Sequence, residues 1–199
     1  MKILVAGIGN IFLGDDAFGV EVVTRLARRT LPEEVRVVDF GIRGFDLAYA
    51  LLDGYDVTIL VDATSQGGAP GSLYTIEIDP NAPGAVDDQR IGVATHGMNP
   101  MRVIQMAKTM GGCPGRILLV GCEPETLGTD EEGMMGRSET ITAVVDHAAA
   151  TVEILIAQLL EENRNASDTG TACSSRITST GLGGRPVVVA HRRQEAGNA

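Results

Sequence analysis

The chain has 199 residues, 44% hydrophobic and 4% aromatic with no Trp, which is enough for one domain with an aliphatic core. Its 16 Lys and Arg against 26 Asp and Glu leave a net charge of −10, which argues against sequence-independent nucleic-acid binding and against an anionic membrane surface, since both need basic side chains to meet phosphate. Cys113, Cys122 and Cys173 form no CxxC pair, so neither a zinc knot nor a disulfide framework is expected, and a reducing cytoplasm is the simplest compartment.

KILVA (2–6) reads as a buried strand rather than a signal peptide, because a short apolar run follows one Lys and ends in Gly and Asp. AFGVEVVTRLARR (17–29) sets Val20, Val23, Leu26 and Ala27 on one helical face, with Pro32 as its stop. VRVVDF (35–40) is the second strand, and FDLAYALL (45–52) is a short helix closed by the turn Asp53-Gly54. DVTILVDA (56–63) is the most apolar strand, a continuous run that suggests burial on both faces of a parallel sheet. SLYTIEI (72–78) alternates and follows without an intervening helix, so one face is wet and an antiparallel pairing fits. Pro80, Pro83 and Gly84 mark a loop. NPMRVIQMAKTM (99–110) is helical with Pro100 in its first turn. RILLVGC (116–122) is another buried strand. SETITAVVDHAAATVEILIAQLLEE (138–162) is a long closing helix with Ser138 as its cap. No run approaches the roughly 20 apolar residues of a membrane span.

This alternation predicts an α/β three-layer sandwich, with a twisted, mostly parallel (mixed) sheet of about five strands flanked by helices on both faces. Residues 1–162 form the domain. Residues 163–199 are rich in Gly, Ser, Thr and Ala, with five Arg against two acids; that net +3 leaves −13 for the domain. They read as a flexible tail.

In open α/β sheets the functional crevice lies beyond the carboxyl ends of the strands. The polar residues placed there are Asn10, Asp15 and Asp16 after the first strand, and Asp39, Gly41 and Gly44 after the second. Asp62 ends the third strand, His96 sits in the loop ATHGMNP, and Glu123 and Glu125 follow the last strand. The opening loop GIGNIFLGDDAFG (7–19) offers G-x-G, but Phe12 stands where the third glycine of a dinucleotide fingerprint belongs, and two carboxylates would face the anion. A receiver-like phosphoacceptor would use Asp15, Asp16 and Asp62 around magnesium, but gives His96 no role and lacks its lysine. A divalent transition-ion site from Asp16, Asp62 and His96 uses all three residues and leaves coordination positions open. Each has a plainer alternative: Asp16 as the cap of the following helix, Asp62 as a turn-closing group, His96 as a solvated loop residue.

GIGNIFLGDDAFG, DFGIRGFDLAYALLDGYD, ILVDA, APGSLY, THGMNP and LLVGCEPE, in unbroken order over residues 1–160, together resemble the hydrogenase maturation endopeptidases. These enzymes trim the carboxyl-terminal extension of the nickel–iron hydrogenase large subunit. The resemblance implies a twisted mixed sheet between helices, cleavage after nickel insertion, and the large-subunit precursor as partner. It implies nickel contacts at Asp16, Asp62 and His96, with the nickel supplied by the substrate rather than held as a permanent cofactor. Asp15 is then the neighbouring acid and not a ligand. Gly41 and Gly44 then shape a loop that meets the substrate. No Ser–His–Asp or Cys–His nucleophile pattern is evident, so a carboxylate, Asp16 or Asp39, is the expected general base. Gly97, in place of a common Gln, and GIRG at 41–44, in place of a GT-containing version, depart from the usual pattern. A nickel-binding chaperone without proteolysis would use the same ligands.

Overall fold

The structure is a computed structural model, and it describes residues 1–80, 99–128 and 135–168. Five strands form one sheet: β1 (Ile3–Ile8), β2 (Val35–Gly41), β3 (Val57–Ala63), β4 (Leu73–Ile78) and β5 (Arg116–Cys122). Their order is β2-β1-β3-β5-β4. All neighbouring pairs run parallel except β4 on β5. The mixed sheet expected from the sequence is therefore present, with the antiparallel strand at an edge, where a chain that returns without a crossover helix can be accommodated.

Among the described residues four α-helices cover the two faces: α1 (Phe18–Leu26), α2 (Gly44–Ala50), α3 (Pro100–Thr109) and α4 (Glu139–Asp168). Side chains alternate along each strand, so the sheet feeds two separate aliphatic cores. Ile3, Val5, Ile59, Val61 and Val120 pack with Phe18 and Val22 of α1 and with Val145 and Val152 of α4. Leu4, Ala6, Leu60 and Leu119 pack with Leu47 of α2 and with Met101 and Ile104 of α3. Each fully buried aliphatic side chain contributes roughly 1.5–3 kcal/mol. Val22 joins the buried face of α1, whereas Ala27, expected there, lies exposed because the helix stops at Leu26.

Close packing of α1 requires a missing side chain. A Cβ on Gly19 would lie 2.1 Å from the Val61 carbonyl oxygen and 2.3 Å from that of Ile8. The first turn of α1 thus rests directly on β1 and β3. Ion pairs finish the α1–α4 contact at its rim: Arg25 with Asp146 at 2.9 Å, and Arg29 with Glu153.

α3 begins as the sequence implies, with Pro100 at its first turn and the Asn99 side chain accepting the N–H groups of Met101 (2.9 Å) and Arg102 (3.3 Å). α4 departs from expectation at its far end. It continues to Asp168, so residues 163–168 are helical rather than part of the tail; no Gly or Pro in NRNASD stops the helix. The helix over Glu139–Ser167 is also long and apolar enough, by length and composition, to cross a membrane, contrary to the expectation that no run approaches that length. Its buried positions Ile141, Val145, Ala148, Val152, Ile156 and Leu159 form one stripe at helical spacing, packed in the α1-side core. That is how a core helix of a layered domain is built.

Candidate functional site

The strand order places a topological switch between β1 and β3. The chain leaves β1 toward β2 on one side, and β3 enters on the other. A crevice opens at such a point, beyond the carboxyl ends of the strands. Asp16 arrives there from the loop after β1, and Asp62 is the penultimate residue of β3.

Asp16 lies in a 3-10 turn, Asp15–Ala17, which leads directly into α1. Its side chain caps neither the turn nor the helix. Instead its Oδ2 accepts the N–H of Asn10 at 2.6 Å, across the loop. Gly9 makes this geometry available: with φ at 133° its backbone approaches so closely that a Cβ there would lie 1.8 Å from the Asp16 carbonyl oxygen. Gly9 N–H also donates to the Gly41 carbonyl at 3.1 Å, tying the first loop to the end of β2.

Asp16 and Asp62 are 6% and 8% exposed. Burial raises the pKa of Asp16, against the pull of the Asn10 N–H. Burial pushes the Asp62 carboxyl well up, the nearby Asp16 charge adds to this, and the Ala63 N–H opposes it. Two carboxylates whose ionisation burial disfavours, one of them further opposed by the other's charge, are stabilised together by a cation that both reach. Oxygen donors from the turn after β1 and from the end of β3 suit a divalent ion, and binding one would displace the protons that burial favours.

Among the described residues no group of three His, Cys, Asp or Glu forms a metal-binding set. The structure brings Asp16 and Asp62 within electrostatic reach of each other. The third expected ligand, His96, lies outside the described residues.

Asp39 is exposed, near the end of β2, in register with Gly7. The register shifts just after it, where Ile8 pairs with Gly41. The Arg43 guanidinium donates to the Asp39 carbonyl and pairs with Asp46 at 3.2 Å. Asp39 therefore belongs to the rim and not to the buried pair. Gly41 has φ 54° at the end of β2, and Gly44 opens α2. Around them the first loop exposes Ile11 and Phe12, the turn after β2 exposes Ile42, and α2 exposes Phe45 and Tyr49, with Phe45 71% exposed. The crevice thus has an acidic floor and an apolar lip.

Two further buried acids, Asp15 and Glu123, hold loops. Asp15, 0% exposed, accepts the N–H of Glu125 at 3.0 Å, of Thr126 at 2.9 Å and of Ser138 at 2.7 Å, and the Ser138 hydroxyl at 3.1 Å. Its carboxylate is committed to these donors, which removes it from the magnesium set of a receiver-like site. Glu123 accepts the N–H groups of Gln66 (2.7 Å), Gly67 (3.3 Å) and Gly68 (3.1 Å) and the Tyr74 hydroxyl (2.9 Å). Its own backbone N–H donates to Ser72 and its carbonyl accepts from Gly71, so it fastens the whole β3–β4 loop. The residue spacing in sequence gives no sign of either role, since the partners of Asp15 lie 110 to 123 positions away. The glycine loop itself ends in two buried acids, which leaves no room for the phosphate that a dinucleotide would bring.

Comparison with known proteins agrees with this arrangement. The hydrogenase maturation protease family model matches residues 20–155. The hydrogenase 2 maturation protease of Escherichia coli K12 is 32% identical over 168 residues, covering 83% of this chain and 95% of that protein. The hydrogenase expression/formation protein HupD of Rhodobacter capsulatus is 36% identical over 63% of this chain, and the match spans 59% of HupD's own length. Among solved structures, the hydrogenase maturating endopeptidase HybD from E. coli superposes with a TM-score of 0.61 at 28% identity, covering 79% of this chain and 93% of that one. The [NiFe] hydrogenase maturation protease HycI from Thermococcus kodakarensis gives 0.57 at 29% identity, covering 80% and 92%. Fold, loop motifs and overall match converge, and the chain belongs to the hydrogenase maturation protease family.

Proposed function

We propose that this chain is an endopeptidase that removes the carboxyl-terminal extension from the nickel-loaded large-subunit precursor of a nickel–iron hydrogenase. The observation that carries this reading is the buried Asp16–Asp62 pair at the β1/β3 switch point, in a chain of this family. Nickel arrives as part of the substrate. Asp16, Asp62 and His96 are its protein contacts, and an unloaded precursor lacks the cation that makes the acidic crevice favourable. The apolar lip formed by Phe12, Ile42 and Phe45 gives an extended peptide something to bury while the cation docks. Asp39, exposed at the rim, is the group free to take a proton from attacking water, whereas Asp16 is occupied with the cation. The compartment that suits this work is the cytoplasm, with the described thiols Cys113 and Cys122 free.

The test is cleavage of purified, nickel-loaded precursor, read on gels by loss of the extension. Asp16→Ala, Asp62→Ala and His96→Ala each lower the rate by about 100-fold or more, the scale of losing a group that acts at the reacting centre. Asp39→Asn lowers kcat with little change in KM. Full cleavage by any one of the three alanine variants removes that residue from the site. Nickel binding by the wild type without release of a peptide, under conditions where a related protease cuts, would identify a chaperone instead.

A further inference from the structure

Asp15 and Asp16 are adjacent, yet the turn that carries them is weakly held by its own backbone. The Asp16 and Ala17 N–H groups reach Leu13 and Gly14 carbonyls at 3.3 Å each, long for such bonds. No side chain caps this turn or the helix that follows. The turn is also tied to the loop after β5, by backbone bonds of similar length and by a carboxylate. Asp15 N–H donates to Thr126 O at 3.2 Å, Gly128 N–H donates to Leu13 O at 3.3 Å, and Gly14 bridges Leu127 in antiparallel fashion. The Asp15 carboxylate closes this clasp from inside with its bonds to Glu125, Thr126 and Ser138. Ser138 is itself fixed, because its Oγ accepts the Ile141 N–H at the start of α4. Arg137 beside it pairs with Glu21 of α1 at 2.8 Å.

We propose that Asp15 is a positioning residue for Asp16: by fastening the 3-10 turn to the loop after β5 and to the first residues of α4, its carboxylate aims the Asp16 side chain toward Asn10 N–H and Asp62. The two acids divide the work. One binds the protein and the other is left for the cation. This assignment rests on the proposed role of Asp16 for its consequence, but not for its test. Charge-assisted bonds from four donors to the buried Asp15 carboxylate make the clasp stiff, and a ligand is as precise as the shell that supports it.

The experiment is amide hydrogen exchange by NMR on the full chain without metal or precursor. The Asn10 amide reports the aim of Asp16, since its partner is Asp16 Oδ2. Asp15→Asn places an amide among N–H donors and loosens the clasp. The expected result is Asn10 exchange faster by about tenfold or more, while the amides of Thr64 and Glu123, bonded to Cys122 O and Ser72 O, keep their wild-type rates. Faster exchange at Thr126 and Ser138 with Asn10 unchanged would overturn the proposal, since the clasp would then serve only its own loop. Ser138→Ala removes one donor to Asp15, together with the Oγ that accepts the Ile141 N–H, and serves as the milder variant if Asp15→Asn does not fold. It should move Asn10 in the same direction by a smaller factor, and an unmoved Asn10 beside faster Thr126 counts against the proposal equally. With the precursor, Asp15→Asn should lower kcat at nearly constant KM. A wild-type chain that cuts nothing would sink the proposed activity and leave the exchange result standing.

Discussion

The carboxyl edge of the sheet holds two kinds of buried acid, and they differ in how well the protein answers their charge. Asp15 and Glu123 each sit among four donors. Asp16 and Asp62 are similarly buried, but the N–H groups of Asn10 and Ala63 do not offset their desolvation, and both carboxyls are pushed upward. Burying a charge without full compensation is costly, so a chain keeps such a pair only where something else supplies the missing partner. A satisfied buried acid is part of the scaffold. An unsatisfied one is, under the proposed function, a seat for a ligand.

That contrast predicts opposite outcomes for similar substitutions. Glu123→Ala should be the most damaging to stability. It strands three loop N–H groups and the Tyr74 hydroxyl around a void, at a cost of about 3 kcal/mol. Differential scanning calorimetry should record a melting temperature lower by roughly 10 °C in a chain of this size. A loss under about 1 kcal/mol would mean that water replaces the carboxylate freely, and that the β3–β4 loop is held by something else.

Asp62→Asn should do the reverse. The folded-state pKa of Asp62 lies above that of the unfolded chain. Between those two values the folded state binds more protons than the unfolded state, so stability falls as pH rises through that window. Above it the full cost of the buried charge is present. The metal-free Asn variant carries no such cost. At pH 8 it should melt higher than wild type by on the order of 3 °C, the effect of about 1 kcal/mol, and the gap should close as pH falls toward the usual carboxylate range. The same variant loses cleavage. A variant that is less stable than wild type at every pH would show that Asp62 is scaffold after all.

The strands and helices were legible because apolar runs of strand length alternate with helical spacing, and the continuous run DVTILVDA could only belong to the sheet centre. The edge strand β4 was legible from its alternation and from the lack of a crossover helix. Asp16, in the loop after β1, and Asp62, near the end of β3, were legible by position, together with the motifs around them. What sequence could not supply was the direction of a carboxylate. Asp16 fits a helix cap by position, but its side chain turns to Asn10 instead. Asp15 looks equivalent to its neighbour in GDDAFG, and only the fold brings Glu125, Thr126 and Ser138 to it. The end of α4 was misplaced by six residues for a simpler reason: the polar run NRNASD marks the end of burial, and a helix can outlast its buried face. His96 and the tail beyond Asp168 lie outside the described residues.

The smallest effect, and the one that sharpens the contrast most, concerns a thiol between the two satisfied acids. Cys122 is fully buried, and its pKa is pushed up to about 12, first by burial and then by the charges of Asp15 and Glu123. Cys113 is exposed in the loop before β5. At pH 7.5 iodoacetamide should modify Cys113 and spare Cys122, read by peptide mass mapping of the intact fold, because alkylation needs the thiolate. Asp15→Asn removes one of the two charges but leaves the burial. Because burial is the larger cause, Cys122 should stay unmodified in that variant. Rapid labelling there would mean either that the charge had dominated or that the clasp had opened far enough to admit solvent. The exchange rates of Thr64 and Glu123 separate these outcomes: a charge effect leaves both amides protected, whereas opening of the β5 end exposes them together with the thiol.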